Sequence, residues 1–389
     1  MKYATRLSRL GTESAFELLA QARALEAEGH DIVHLEIGEP DFDTPRNVKD
    51  AGIKAINDGW THYTPSAGIP EMREKYAQAL NDRYGSHVTA KNIVITPGAK
   101  PVIFLGGLAV IDEGDEVIYP NPGYPSYESV TQFLGAKAVP YVLREENEFR
   151  FSLDEVASLI TPKTKMIVIN SPHNPTGGVL TREDLQGVVD LALKHDLWVL
   201  SDEVYSRILY DGEHVGLMDF PEIFDRMILL EGHSKTYAMT GWRLGYVCCN
   251  EELAVHMTRL TLNANSCAAA FTQIAGGEAL LGDQSAVKQM VAEFKVRRDL
   301  IVKGLNELPG VTCHNPRGAF YVFPNFKAYG MSSSELEQRL LHEAGVCCLA
   351  GKAFGKMGEG YLRFSYANSQ ENIKKALERI GEWLDKHQK

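Results

Sequence analysis

Residues 165–205 read KMIVINSPHNPTGGVLTREDLQGVVDLALKHDLWVLSDEVY, and this stretch decides the fold. Lys165–Asn170 and Leu197–Ser201 are short apolar runs of strand length, each ending in polar residues. Between them, Thr181-Arg182-Glu183-Asp184 has the hydroxyl-to-acid spacing that closes a helix N-terminus, and Leu185, Val188, Val189 and Ala192 follow at helical intervals. Strand, helix, strand is the unit of a parallel sheet, because a parallel neighbour is reached only by a crossover.

The same rhythm extends outward on both sides. Asn92–Thr96, Glu116–Tyr119 and Met227–Leu230 read as further buried strands. Beyond them a helix is expected from about Ala286 to Leu308, with Met290, Phe294, Ile301 and Leu305 inward, and another near the C-terminus through Ile373, Leu377, Ile380 and Leu384. Tyr361–Tyr366 alternates like a half-buried strand, with Leu362, Phe364 and Tyr366 on one face and Arg363 on the other. The fold class is therefore α/β, a large domain of mostly parallel sheet with a smaller α+β domain at the C-terminal end.

At 389 residues, 44% hydrophobic and 23% charged, the chain has the composition of a globular protein of two unequal domains. A net charge of −11 disfavours nucleic acid and anionic lipid as partners, so an anionic ligand needs local cations. The six cysteines lack metal or redox spacing and read as reduced core residues, and no metal is expected. The N-terminus lacks the apolar segment of a signal peptide, and no apolar run of about 18 residues occurs, so a cytoplasmic location without membrane contact is expected.

Ligands of open α/β sheets bind where the strands end. Ser171-Pro172-His173-Asn174-Pro175-Thr176-Gly177-Gly178 follows one strand, Ser201-Asp202-Glu203-Val204-Tyr205 another, and Glu231-Gly232-His233-Ser234-Lys235 a third, with Arg243 eight residues beyond Lys235. These types suit a pyridinium aldehyde phosphate. A lysine amine condenses with an aldehyde, and a carboxylate keeps a ring nitrogen protonated. An amide and a phenol donate to a ring oxygen, and an arginine grips phosphate.

With those residues in view, the chain resembles the class I/II aminotransferases, pyridoxal-phosphate enzymes of fold type I. The likeness runs from Ile37-Gly38-Glu39-Pro40-Asp41-Phe42 to Leu362-Arg363-Phe364-Ser365-Tyr366-Ala367-Asn368 and rests on Asn-Pro-Thr-Gly, Ser-Asp-Glu-Val-Tyr and Ser-Lys…Gly-Trp-Arg-Leu-Gly in order. It implies a seven-stranded, mostly parallel sheet in a large domain (46–285), an N-terminal arm with part of the small domain (1–45), and a C-terminal small domain (286–389). Gly232 and His233 depart from the family pattern, and altered phosphate contacts are expected there.

The resemblance implies a role for each site residue. Lys235 would carry the Schiff base and move the proton, Asp202 would face the pyridine nitrogen, and Asn174 and Tyr205 would meet the ring hydroxyl oxygen. Gly98, Ala99 and Lys100 at a helix start, with Arg243, would hold phosphate. Tyr124 would stack on the ring, or else be a core tyrosine. Tyr63 would reach the phosphate of a neighbouring subunit, which makes a homodimer the expected state. Arg363 would clamp the substrate α-carboxylate with the N–H of Gly38, whose other reading is a turn needing positive φ. Asn174 is a substrate contact as well.

The activity implied is transfer of an amino group between an L-amino acid and a 2-oxo acid. A C–S lyase or other elimination enzyme on the same scaffold is the alternative. Acidic donors such as aspartate or glutamate are expected, with Lys100 meeting either a second substrate carboxylate or phosphate, and Thr12 and Ser14 adding hydroxyl contacts.

Overall fold

Residues 165–205 fold as the unit their pattern specifies: strand Thr164–Asn170, helix Arg182–His195 and strand Trp198–Asp202. The helix opens on a reciprocal cap, Asp184 N–H donating to Thr181 Oγ1 at 3.2 Å and Thr181 N–H to Asp184 Oδ2 at 2.8 Å. The computed structural model describes residues 3–11 and 14–387.

Seven strands form the main sheet. In chain order they are β1 (Ile93–Thr96), β2 (Glu116–Asn121), β3 (Lys137–Val142), β4 (Thr164–Asn170), β5 (Trp198–Asp202), β6 (Met227–Gly232) and β7 (Gly245–Cys248). Their spatial order is β1-β7-β6-β5-β4-β2-β3, and β7 alone runs against its neighbours among these pairings. The inner strands are buried along nearly their whole length because helices cover both faces, which is why they read as continuous apolar runs. Edge strand β3 exposes Lys137 and Pro140, and this broken pattern hid it from sequence reading.

The register fixes the site. Asn170 pairs with Asp202, and Asp202 with Leu230, so three strand ends stand in one row at the carboxyl edge. Helix Ser285–Glu307 packs against helix Gln370–His387, beside a small antiparallel sheet of Leu349–Ala350, Leu362–Ser365 and Tyr321–Val322. Val33–His34 pairs in parallel with Val346–Cys347, and Val33 and Leu35 share a core with Phe294, Phe364 and Trp383, so the N-terminal segment is built into the C-terminal layer.

Two expectations need correction. The strand around Arg363 is buried on both faces, with Arg363 4% and Ser365 2% exposed, because the second face packs against the main domain instead of meeting solvent. Five cysteines are buried thiols, whereas Cys267 is half-buried beyond helix Glu251–Asn265 and is no core residue. No helix among the described residues is long and apolar enough to cross a membrane.

Candidate active site

A cavity of about 590 Å³ lies at the carboxyl edge of the main sheet, where the small antiparallel sheet faces it. Gly38, Ala99, Lys100, Tyr124, Asn174, Asp202, Tyr205, Lys235, Arg243 and Arg363 all line it, although they come from seven separate stretches of chain. Folding thus brings together ten of the residues singled out in the sequence.

Asp202 ends β5 and is buried. Its carboxylate accepts from the Tyr127 hydroxyl at 2.7 Å and from Val204 N–H at 3.3 Å, both neutral donors. Burial raises its pKa to about 6, against the lowering effect of those two bonds. A carboxylate held in this way is suited to a cationic N–H on a bound ring.

Lys235 lies in the short helix His233–Thr236 directly after β6, and its ammonium donates to the carbonyl of Gly38. Tyr205 Oη is 2.7 Å from Tyr321 Oη, with either as donor. Arg363 donates to Asn174 Oδ1 at 3.3 Å and to the carbonyl of Glu36, and its guanidinium lies over the rings of Tyr321 (4.6 Å) and Phe354 (5.0 Å). Those rings hold the planar fork in place without using its in-plane donors.

At the other end, β1 leads through Gly98 to helix Lys100–Val110. Gly98 has φ +97°, and a Cβ there would stand 2.5 Å from Arg243 Nη2, so glycine serves both the turn and the approach of the guanidinium. Arg243 itself donates to the carbonyl of Thr240 at 2.8 Å. Lys100 Nζ sits 5.7 Å from the ring centre of Tyr124. A helix start, an arginine and a lysine make this end a receptor for an anion.

Gly38 is not a positive-φ turn, contrary to one reading of the sequence. A Cβ on it would fall 2.1 Å from Tyr321 Oη, so close approach is what requires glycine. His233 does not line the cavity: its ring is buried among Tyr76, Tyr237 and Tyr246. Burial lowers its pKa to about 3, so it is neutral. Gly232 does line the cavity, and a Cβ there would meet Ala99 Cβ at 2.9 Å. Tyr63 is 87% exposed and is not brought to the cavity within one chain. Ser14 starts helix Ser14–Ala27, whose Ala15 and Phe16 reach the cavity, while Thr12 lies outside the described residues.

Sequence reading missed Tyr127, Tyr321 and Asn170. Asn170 accepts from Asn174 N–H at 3.0 Å and donates to the Asp202 carbonyl at 2.9 Å, tying the Asn-Pro-Thr-Gly loop to β5. Its place as the polar end of an apolar strand was the available signal. Tyr127 and Tyr321 lie outside the strand-end motifs, and only the fold shows their hydroxyls turned to the site.

The donor set fits pyridoxal 5′-phosphate: an amine for the aldehyde, a buried carboxylate for the ring nitrogen, and a cationic helix start with a glycine cradle for phosphate. A mostly parallel sheet carrying that set at its carboxyl edge defines a pyridoxal-phosphate enzyme of the α/β class. The chain belongs to the family described as aminotransferase class I and II, which matches residues 30–380.

It is 43% identical to an aspartate aminotransferase of Pyrococcus horikoshii, over 95% of this chain and 94% of that one. It is 40% identical to aromatic-amino-acid aminotransferase 2 of Thermococcus litoralis, over 98% and 97%. The solved aspartate aminotransferase from Thermus thermophilus with maleate superposes with a TM-score of 0.94 at 36% identity, covering 98% of this chain and 99% of that one. The protein is a pyridoxal-phosphate-dependent transaminase, acting on an amino acid and a 2-oxo acid, and the elimination alternative is not favoured.

Proposed function

We propose that Lys235 is the catalytic lysine of this transaminase, that Asp202 holds the ring nitrogen, and that Arg363 receives the substrate α-carboxylate. The observation that carries this reading is the convergence of the three on one cavity from a short helix, a strand end and the small sheet. Asn174 and Tyr205 would meet the ring oxygen and Tyr124 the ring face. Gly98, Ala99, Lys100 and Arg243 would hold the phosphate. The bound cofactor supplies an aldehyde and an electron-withdrawing ring. Lys235 would take the proton from the substrate Cα and return it to the carbon two atoms away, a 1,3-shift. Asp202 would keep the ring nitrogen protonated, and Arg363 with the Gly38 N–H would fix the carboxylate so that the Cα proton faces Lys235.

Acidic amino acids are the donors we assign. The relatives named for aspartate support this, as does Lys100, whose ammonium lies beside Tyr124 at the cavity. We further assign a homodimer in which Tyr63 enters the neighbouring site, a cytoplasmic location, and a division of the chain at 45/46 and 285/286. Exposed Ile53, Ile56, Trp60 and Tyr63, close together in sequence, support a covered surface.

The test is a screen of amino acids against 2-oxoglutarate, pyruvate and oxaloacetate, run on the wild type, Arg363→Lys and Lys100→Ala. Arg363→Lys should lose about 1.5–3 kcal/mol of charge-assisted bonding, or roughly 10–150-fold in kcat/KM, for every donor. Lys100→Ala should weaken acidic donors selectively. Equal losses for all donors would assign Lys100 to phosphate instead, and absence of activity on aspartate and glutamate would overturn the acidic-donor assignment.

A further inference from the structure

Tyr321 is buried at the start of strand Tyr321–Val322 and touches three parts of the site at once. Its hydroxyl lies 2.7 Å from Tyr205 Oη, its ring lies under the Arg363 guanidinium at 4.6 Å, and its Oη occupies the space that a side chain on residue 38 would need. We propose that Tyr321 is a positioning residue that joins the two recognition events of the reaction, orienting Arg363 for the substrate carboxylate through its ring and Tyr205 for the cofactor's ring oxygen through its hydroxyl. The inference rests on the roles given above to Tyr205 and Arg363.

The hydroxyl pair has one arrangement compatible with a bound ring. Tyr205 has a single proton, and when that proton is given to the ring oxygen, Tyr205 Oη becomes an acceptor. Tyr321 is then the donor to it. A bond received at Tyr205 Oη polarises the bond it gives, so Tyr321 strengthens the donation without touching the cofactor. The ring acts separately, because a guanidinium over an aromatic face keeps its in-plane N–H groups available for a carboxylate. Gly38 closes the arrangement, since its lack of a side chain admits the Tyr321 hydroxyl.

The two functions are separable by substitution in the cofactor-loaded enzyme. The visible absorption of the bound cofactor is titrated with pH in the wild type, Tyr321→Phe, Tyr205→Phe and the double variant. Donation to the ring oxygen lowers that oxygen's proton affinity, so loss of the donor moves the absorbance midpoint to higher pH. Tyr205→Phe should give the larger upward shift, and Tyr321→Phe an upward shift of a few tenths of a pH unit. Adding Tyr321→Phe to Tyr205→Phe should shift nothing further. Tyr321→Phe should leave the amino-acid KM within about twofold, whereas Tyr321→Leu, which removes the ring, should raise it about 2–10-fold for every donor.

A midpoint unmoved by Tyr321→Phe while Tyr205→Phe moves it overturns the link, as does an equal shift with or without Tyr205. Equal KM values for the Phe and Leu variants overturn the ring's role. A midpoint unmoved by Tyr205→Phe shows instead that the assignment of Tyr205 itself is wrong, and removes the link with it.

Discussion

Asp202 is where burial and chemistry are most directly opposed. Its folded pKa of about 6 lies above the ordinary 3.8, so ionisation is disfavoured by folding. The cofactor-free protein is therefore favoured at this residue below pH 4 and loses stability as pH rises to 6. The loss then stays constant, on the order of 3 kcal/mol. Asp202→Asn should flatten that dependence, making the cofactor-free variant relatively more stable at pH 7.5 than at pH 4.5. Denaturant unfolding at both pH values measures it, and parallel pH profiles for the two proteins would refute it. Gly38 offers a second test. Gly38→Ala places a carbon 2.1 Å from Tyr321 Oη and should cost about 1–3 kcal/mol of stability, while Tyr321→Phe in the same chain should recover part of it, since the next nearest ring atom is 3.1 Å away. Thermal unfolding of the three variants forms the cycle, and strictly additive effects would show that the contact is relieved elsewhere.

Among the elements, helix Arg182–His195 shows how local chemistry and site are separated. Its reciprocal cap at Thr181 and Asp184 was readable from four residues, and it holds the crossover between β4 and β5. Thr181→Ala should destabilise the protein by about 1 kcal/mol, as loss of an N-cap hydroxyl does, and leave KM unchanged. Urea unfolding together with steady-state kinetics would check this, and a raised KM would mean that the cap also sets the position of the Asn174 loop. Most strands of the main sheet legible in the sequence are buried along nearly their whole length. β7 is buried throughout as well and was missed, because its four residues start on the last glycine of the Gly-Trp-Arg-Leu-Gly motif and offer only a short apolar run of their own. β3 escaped because one edge and one face meet solvent, and the Arg363 strand reads as half-buried because its second face carries polar residues. In the fold, those residues are covered by the main domain.

For the whole molecule, segments near both ends of the chain are built into one layer, since Val33–His34 completes a sheet with Val346–Cys347. Tyr63, conspicuous in the sequence and 87% exposed, has no place in the cavity of its own chain. In a homodimer it would enter the other site. A hybrid dimer of one Lys235→Ala chain and one Tyr63→Phe chain should then contain one fully native site and one doubly altered site, with activity approaching half that of the wild type. Light scattering that found a fully active monomer at assay concentration would overturn the shared site.

The sequence by itself determined the βαβ rhythm, the strand ends that carry chemistry, and the family, because these rest on local periodicity and on residue types at short spacing. Asn174, Asp202, Tyr205, Lys235 and Arg243 lie within about 70 residues of one another, inside continuous motifs at three strand ends, and were legible for that reason. Only the tertiary structure decided that Tyr127 meets Asp202, that Tyr321 lies between Tyr205 and Arg363, and that Gly38 is small for the sake of a hydroxyl rather than a turn. Each of these contacts joins residues 42 to 283 positions apart, beyond the reach of any local pattern. A buried tyrosine with a core role and one with a site role have the same apolar ring, and packing alone selects which atom the hydroxyl faces.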